Sequence, residues 1–361
     1  MDVVSRLFAF AGGLQAPDLN FIGQIVKGLY EFVGEYGWAV ILFTVILKLI
    51  TLPLDFWQRL SMKKNTLKMA KMQPMLEKID KVYADDQNKA NQEKLKLYKK
   101  QGYSTFASCL PTILTMVIFI VMFTGLNSYN AYVNVSDYLK LEQVYTEAFN
   151  EKHAELTAQG LSGEELSAKA IAYAKEKVGT YYQENHESFL WIKNIWRPDS
   201  WVEPMPTYQE FTQGSGIGSA GVGADKVNEN VYNNIREGVL AKEPGYKLIG
   251  ATGWNGLLIL PILSIALSVF STKLVSTTSR KKGEKPDPSD PMAGQQKVMM
   301  IFMPIMMGFF ALMYTSAFAV YLVANSLITI LTSLAINPIV DRMAQKQLAK
   351  DDKEEVSYRR K

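Results

Sequence analysis

The chain has 361 residues, 48% of them hydrophobic and 20% charged, and its formal net charge is +4. That charge is too small to argue for nucleic acid, and we expect no specific nucleic-acid site. A single cysteine excludes a disulfide framework and a thiolate zinc site, and only two histidines argue against a metal enzyme. Long uncharged apolar runs alternate with densely charged stretches, a pattern typical of membrane proteins rather than of soluble domains.

Apolar segments of spanning length recur along the chain, and a span needs about 20 mostly apolar residues. Residues 298–340 carry no charge at all and are suited to two spans with a turn near Tyr314 to Ala317. We therefore predict an all-α polytopic membrane protein with five transmembrane helices, a cytoplasmic helical hairpin and an enlarged helical extracytoplasmic loop. In chain order the predicted segments are the leader and outer-surface amphipathic helix (1–36), span one (37–57), the hairpin (58–104), span two (105–126), the extracytoplasmic loop (127–253), span three (254–276), a cytoplasmic loop (277–297), span four (298–314), span five (316–340) and a cytoplasmic tail (341–361).

The distribution of Lys and Arg predicts the orientation, because basic residues stay on the cytoplasmic side. Residues 58–103 carry twelve basic residues against five acidic ones, and residues 277–297 carry five against three. The tail after Asn337 carries seven against five, whereas residues 127–253 hold eleven basic and seventeen acidic residues. We expect the N-terminus outside and the C-terminus in the cytoplasm.

The residues before span one divide into two parts. Residues 20–34 have apolar side chains on one face and polar ones on the other, which predicts an amphipathic helix on the outer surface. The first sixteen residues leave two alternatives open, a cleaved secretory signal and a poorly ordered leader.

The hairpin is predicted as a helix from Arg59 to Tyr83, kinked at Pro74, and a second helix from Lys89 to Gln101. Two interpretations stay open: a charged, solvated hairpin, or a movable contact surface for anionic phospholipids or an acidic partner. The candidate contact residues are the lysines and methionines of its first helix, namely Lys63, Lys64, Lys68, Lys71, Met69, Met72 and Met75.

Lys48 is the residue that most needs an explanation. It lies about eleven residues into span one, roughly 16 Å deep at 1.5 Å per residue, where a lysine costs at least ~2.5 kcal/mol. It shares one helix face with Thr44, Thr51 and Asp55, which predicts a hydrated groove open to the cytoplasm; snorkelling to the interface is the alternative. The other candidate groove residues are polar side chains of spans two and five, Ser108, Thr112, Thr115, Tyr321 and Asn325, and plain helix packing is the alternative for the last two.

A series of short motifs adds a family resemblance. They are Ile46-Leu-Lys48-Leu-Ile-Thr-Leu-Pro53-Leu, Met72-Gln-Pro74-Met, Leu97-Tyr98-Lys99, Ser108-Cys109-Leu-Pro111, Phe189-Leu-Trp191-Ile, Leu260-Pro261, Asp290-Pro291-Met292, Met303-Pro304 and Tyr321-Leu-Val-Ala-Asn325. In this order they resemble the YidC/Oxa family of membrane protein insertases in its bacterial five-span form, over about half the chain.

The resemblance implies a function and roles for particular residues. It implies a non-enzymatic insertase or chaperone of the bacterial plasma membrane, with nascent membrane proteins as substrates, the ribosome and the Sec translocon as partners, and no cofactor. Lys48 occupies the position of the family's single groove cation, usually arginine, and Thr44 and Tyr321 match groove-lining positions. Lysine at this position keeps the positive charge of arginine but lacks the planar guanidinium group with its five hydrogen-bond donors. The helical insertion 137–185 departs from the family, and the short mixed tail weakens a ribosome contact there.

Two other functions remain open from the sequence. A small transporter or channel could use Lys48 as an anion site, although no internal repeat and no P-loop supports it. A structural assembly factor would have no need of the groove charge.

Overall fold

The computed structural model describes residues 14–103, 105–213, 222–248, 251–277, 302 and 304–359. The predictions for most of the leader, for nearly all of the loop 277–297 and for the start of span four lie outside the described residues. The chain forms two compact units. The first comprises residues 1–44, 121–265 and 305–324, and the second comprises residues 45–120, 266–304 and 325–361.

The described residues are predominantly helical, which confirms the predicted all-α class. A two-stranded antiparallel ribbon pairs Tyr246 with Trp254 and Leu248 with Ala251. In chain order the elements are α1 (Phe21–Val33), α2 (Tyr36–Val82), α3 (Gln87–Lys100), α4 (Thr105–Ala158), α5 (Gly163–Asn185), α6 (Tyr208–Gln213), a 3₁₀ turn (Ala224–Lys226), α7 (Glu229–Lys242), β1 (Tyr246–Leu248), β2 (Ala251–Trp254), α8 (Ile259–Thr277), α9 (Pro304–Met313) and α10 (Ser316–Arg359).

Several predicted segment boundaries are not breaks in the backbone. Span one and the first hairpin helix form the single 47-residue helix α2, which contains both Pro53 and Pro74. Span two continues into the extracytoplasmic loop as α4, and span five continues into the tail as α10. A change from apolar to charged side chains marks a change of environment, but the backbone hydrogen bonds of a helix continue through it.

Two smaller boundaries are also decided by the structure. The helix predicted to begin at Trp254 begins at Ile259, because Trp254 is the last residue of β2. The turn predicted near Tyr314 to Ala317 is present, since α9 ends at Met313 and α10 begins at Ser316.

Three described helices are long and apolar enough to cross a membrane: Tyr36–Val82, Met116–Ala158 and Ser316–Gln347. Shorter apolar helices at Ile259–Val275 and Pro304–Met313 lie where spans three and four are predicted. These helices leave many large apolar side chains exposed, which suits a lipid environment. Examples are Leu49, Ile50, Ile113, Met116, Ile262, Phe309, Leu331 and Leu334.

In the first unit, α1 is fixed against α4. The Asn20 side chain caps α1 by accepting a hydrogen bond from the Gly23 amide at 2.7 Å, and it donates to the Thr124 carbonyl at 3.1 Å. Ile22 packs tightly against Gly125, because a Cβ atom added to Gly125 would lie 2.3 Å from Ile22 Cγ2. The predicted amphipathic helix is therefore present, and it is docked along one side onto the protein.

The helices of the segment predicted as the extracytoplasmic loop share one apolar core. It is formed by α4, α5 and α7 with the segment around Met205 and Phe211. Gly179 of α5 and Gly238 of α7 bring the two backbones together, since a Cβ on Gly179 would lie 2.3 Å from the Gly238 carbonyl oxygen. The helix α5, which lies within the predicted helical insertion 137–185, owes its position to this contact.

We expect Gly179→Ala to destabilise the protein by about 1–3 kcal/mol, because the added methyl group forces two backbones apart. Thermal unfolding in detergent measures the effect. Gly28→Ala is the matched control: its Cβ would meet nothing within 4 Å in the middle of α1, so a gain of up to about 1 kcal/mol is expected. Equal stability of the two variants would contradict the close packing.

A buried loop of the first unit caps two apolar helices. Asp199 accepts hydrogen bonds from the amides of Leu258 at 2.9 Å and Leu260 at 2.8 Å, which are donors at the start of α8. The carbonyl of Arg197 accepts from the amide of Ser316, the first residue of α10, at 2.9 Å. This loop therefore sets where both helices begin.

Candidate functional site

The candidate site lies on the α2 part of the second unit and is centred on Lys48. The Lys48 Nζ lies 2.6 Å from Asp55 Oδ2, and the two side chains are only 13% and 18% exposed. Seven residues, about two helical turns, separate them, so both lie on the same face of α2. Around them the helix exposes apolar side chains such as Leu49 and Ile50. The apolar helix thus carries one sheltered ion pair.

The same face of α2 continues into a contact with α10. Arg59, one turn after Asp55, donates to Ser333 Oγ at 2.7 Å and to Asn337 Oδ1 at 3.0 Å. The Asn337 side-chain amide in turn donates to the carbonyl of Leu274 in α8 at 3.3 Å. Arg59 therefore joins α2 to α10 through hydrogen bonds from a charged group, which are stronger than neutral ones.

A second ion pair follows one turn further along α2. Lys63 Nζ lies 2.9 Å from Asp341 Oδ1, and the lysine side chain is 9% exposed. Beside it, Leu60 packs in an apolar cluster with Val340 and Ala344 of α10. Lys48, Asp55, Arg59 and Lys63 recur at 0, 7, 11 and 15 residues, which is one helix face, and we call them the charged face of α2.

The charged face is suited to binding anions. It holds three cations and one carboxylate, and two of the cations, Arg59 and Lys63, are already held by α10. Within the described part of the chain, Lys48 forms its ion pair with a carboxylate of its own helix, and a competing carboxylate could take the place of that partner. Among the described residues, no group of three or more His, Cys, Asp or Glu could hold a metal ion.

The other predicted groove residues are distributed over both units. In the first unit, Thr44 is buried and its hydroxyl donates to the Val40 carbonyl at 2.7 Å, and Tyr321 is buried beside Phe318. In the second, Thr51 donates to the Lys48 carbonyl at 3.3 Å.

Asn325 is half-buried in the second unit. The side chains of Ser108, Thr112 and Thr115 lie outside the described residues. That all of these residues line one groove with Lys48 stays a prediction.

The predicted hairpin residues occupy different environments. Met69 and Met72 are buried, whereas Met75 is 40% exposed. Lys68 donates to the carbonyl of Gly102, just beyond α3, at 3.2 Å. Lys64 is half-buried and Lys71 exposed. The first two methionines thus belong to the interior of the second unit, and the exposed part of the predicted contact surface is smaller than the sequence suggested.

Sequence reasoning missed one residue of the charged face, Arg59, and the α10 side chains that meet this face. The sequence places Arg59 at the start of the first hairpin helix, for which two interpretations stay open, and it assigns no role to Ser333 or Asn337. A signal was available, because Ser333, Asn337 and Asp341 recur every four residues and so form a polar stripe on an otherwise apolar helix.

Fold and site together define a class: a polytopic helical membrane protein that keeps a sheltered charged pair on an apolar helix. The sequence model of the family described as "60Kd inner membrane protein" matches residues 28–344. The chain therefore belongs to that family, the YidC/Oxa family that its motifs resemble.

Curated proteins give the same result. "Membrane protein insertase YidC" of Caldanaerobacter subterraneus subsp. tengcongensis is 36% identical over 116 residues, which is 32% of this chain and 54% of that protein. The protein of that name from Leptospira interrogans serovar Lai is 35% identical over 118 residues, 32% of this chain and 18% of that protein. "Inner membrane ALBINO3-like protein 2, chloroplastic" of Chlamydomonas reinhardtii is 25% identical over 91% of this chain and 54% of its own length. The matches span about half or less of these relatives.

Proposed function

We propose that the chain is a membrane protein insertase that moves hydrophobic segments of nascent proteins from the cytoplasm into the lipid bilayer. The observation that carries the proposal is the sheltered cation Lys48, held on an apolar helix of spanning length. A charged side chain on such a helix costs free energy, which indicates that it serves a function. Membership of the family and the printed names of the relatives support the same function.

The proposed mechanism is non-enzymatic and uses a hydrophilic, positively charged groove open to the cytoplasm and to lipid. The basic hairpin and cytoplasmic surface receive a hydrophobic segment from a ribosome or from the Sec translocon. The exposed lysines of the hairpin contact anionic phospholipids. The polar end of the substrate enters the groove, where Lys48 attracts its negative charge and water lowers the desolvation cost. The apolar part then moves into lipid, driven by hydrophobic burial.

We further propose that the protein lies in the bacterial plasma membrane with its N-terminus outside and its C-terminus in the cytoplasm. The excess of basic residues in 58–103 and in the tail supports this orientation. In this arrangement the charged face runs from the membrane interior at Lys48 towards the cytoplasmic side at Lys63.

Reconstitution into sealed liposomes tests the function. A short single-span substrate with an acidic outer tail is synthesised in their presence, and protease protection of the tail is measured. We expect the native protein to protect the tail, Lys48→Arg to retain protection because the charge is kept, and Lys48→Ala to lose it. Lys140→Ala is the matched control, because it also removes one positive charge but at a side chain that is 62% exposed.

Each other result changes the proposal in a defined way. Protection no better than in empty liposomes would contradict an insertase, and saturable anion flux into the same liposomes would then favour a transporter or channel. Protection that survives Lys48→Ala would keep the insertase and remove the groove charge from its mechanism.

A further inference from the structure

We propose that Asp55 decides which substrates this site accepts: it occupies Lys48 as an internal carboxylate, and an incoming segment must bring a carboxylate of its own to displace it. The inference rests on the proposed function, because it takes the charged face of α2 as the place where substrate binds. It assigns a specificity-determining role to a residue of the chain itself.

The geometry of the pair is the first argument. Asp55 lies two turns after Lys48, about 10.5 Å along the helix axis at 1.5 Å per residue, yet their charged atoms are 2.6 Å apart. Helical side chains lean towards the N-terminus, so Asp55 leans back towards Lys48, whereas the lysine must extend in the opposite direction. A snorkelling lysine would extend in the same direction to reach water. In this structure the Lys48 ammonium group instead contacts the Asp55 carboxylate.

The burial of this ion pair determines what an incoming segment must offer in exchange for Asp55. Both side chains are more than four-fifths sheltered, and a sheltered charge that loses its partner is strongly disfavoured. A neutral segment that enters the site offers Lys48 nothing in exchange for Asp55. A segment carrying Asp or Glu offers the same chemical group, so one ion pair replaces another and the number of paired charges is unchanged.

Arg59 provides for the displaced carboxylate. It follows Asp55 by four residues, the spacing at which side chains of a helix meet. Its guanidinium is already held by Ser333 and Asn337 of α10, so it does not have to be ordered when Asp55 turns towards it. The exchange therefore leaves neither Lys48 nor Asp55 as an isolated buried charge.

The class of substrate follows from this exchange. The preferred segment has at least one aspartate or glutamate beside its apolar stretch, on the end that enters first. Since two carboxylates compete for one lysine, the bound state is only slightly favoured over the resting pair. An acidic end is then recognised without being retained, which a transfer reaction requires.

Photo-crosslinking tests the exchange directly. Two single-span substrates differ only in one aspartate or asparagine beside a photo-reactive residue, and each is added to the full-length protein in liposomes. In Asp55→Asn the aspartate substrate has no competitor, and we expect its crosslinking to rise about tenfold, the factor that corresponds to 1.4 kcal/mol, while the asparagine substrate does not change.

Two controls separate this effect from general loosening. Asp225→Asn removes an exposed carboxylate that lies outside α2 and outside the hairpin segment, and we expect native crosslinking of both substrates. Combining Lys48→Gln with Asp55→Asn should abolish the rise. A rise shared by both substrates, or none in Asp55→Asn, would overturn the proposal.

A double-mutant cycle on thermal unfolding tests the pair without any substrate. Asp55→Asn leaves the sheltered Lys48 without its carboxylate, and Lys48→Gln leaves Asp55 with Arg59 as its remaining cation. Since both single variants lose the same ion pair, the double variant should unfold at a higher temperature than the sum of the two single shifts predicts. Additive shifts would show that the pair does not form and would overturn the inference. Insertion that depends on Lys48 while Asp55→Asn alters neither substrate would overturn this inference alone, whereas no insertion and no crosslinking in any variant would overturn the proposed function with it.

Discussion

Asp199→Ala is expected to destabilise the first unit by about 4 kcal/mol, because three donors, one buried and two partly buried, lose a fully buried acceptor, and an unpaired buried donor costs roughly 1–3 kcal/mol. The carboxylate is fully buried and accepts from the Trp191 indole at 3.2 Å and from the Leu258 and Leu260 amides. Loss of these bonds frays the start of α8. Thermal unfolding in detergent, together with limited proteolysis near residues 190–200, measures the effect.

Two further variants show whether hydrogen bonding is the cause. Asp199→Asn keeps the size and one acceptor oxygen, so we expect an intermediate loss. Asp225→Ala removes an exposed aspartate of the same unit and should have an effect within about 0.5 kcal/mol. Similar losses for Asp199→Ala and Asp225→Ala would contradict the capping role.

Arg197→Leu is the second substitution for which we expect a large effect, a loss of about 3 kcal/mol. Its guanidinium is 2% exposed, and it donates to the Glu203 carbonyl at 3.0 Å and to Glu210 Oε2 at 3.3 Å. Hydrogen bonds to charged groups contribute about 1.5–3 kcal/mol each, although Glu210 is 43% exposed, which reduces its share. Chemical denaturation of the purified protein measures the difference.

Arg197→Lys should recover only part of that stability, because a point charge cannot serve Glu203 and Glu210 at once as the planar fork does. Full recovery would mean that charge alone matters at this position. The loop carbonyl of Arg197 that caps α10 is a backbone group, so it stays available in either variant.

Glu210 gives this pair a pH dependence. Burial alone raises the pKa of Glu210, but the Arg197 charge and hydrogen bonds from Thr207 outweigh burial and lower it below the ordinary 4.5. A carboxyl with a lowered pKa in the folded state stabilises above its unfolded pKa, and the contribution is lost as the pH falls through the lowered value. The stability difference between native protein and Glu210→Gln should therefore be present at pH 7 and disappear in acid.

Much of the helical pattern was predictable from the sequence. Local signals fixed the amphipathic α1, bounded in the structure by the Asn20 cap and by Gly34, whose φ of 82° suits glycine. The insertion 137–185 is predicted to be helical, and in the structure it contains the end of α4 and all of α5. The break at Tyr314 followed from a few polar residues in an apolar run. Each of these features depends on neighbours within a turn or two of helix.

The continuity of the long helices was not predictable in the same way. The sequence changes from apolar to polar after Trp57 and again after Leu126. Predicting helix ends at these two positions assumes that a helix ends where its surroundings change. The helices α2 and α4 continue because their backbone hydrogen bonds are unaffected by which side chains meet lipid and which meet water. Sequence pattern therefore located the spans better than it located the helix ends.

The candidate site was likewise predictable only in part from the sequence. Lys48 was evident from the sequence because a lone cation in an apolar run is costly, and Asp55 was placed on its face by helical periodicity alone. That Lys48 pairs with Asp55 depends on rotamers, and that Arg59 bonds Ser333 and Asn337 depends on a contact across more than 270 residues of chain.

The sequence by itself determined the membrane class, the family and the position of a lone cation in an apolar segment, because composition, length and periodicity are local properties. Only the tertiary structure decided which charges are partners, how the loop at Asp199 caps α8, and that α5 and α7 touch through two glycines. These are contacts between residues far apart in the chain, and they are set by which side chains can satisfy buried charges and donors once the helices have packed.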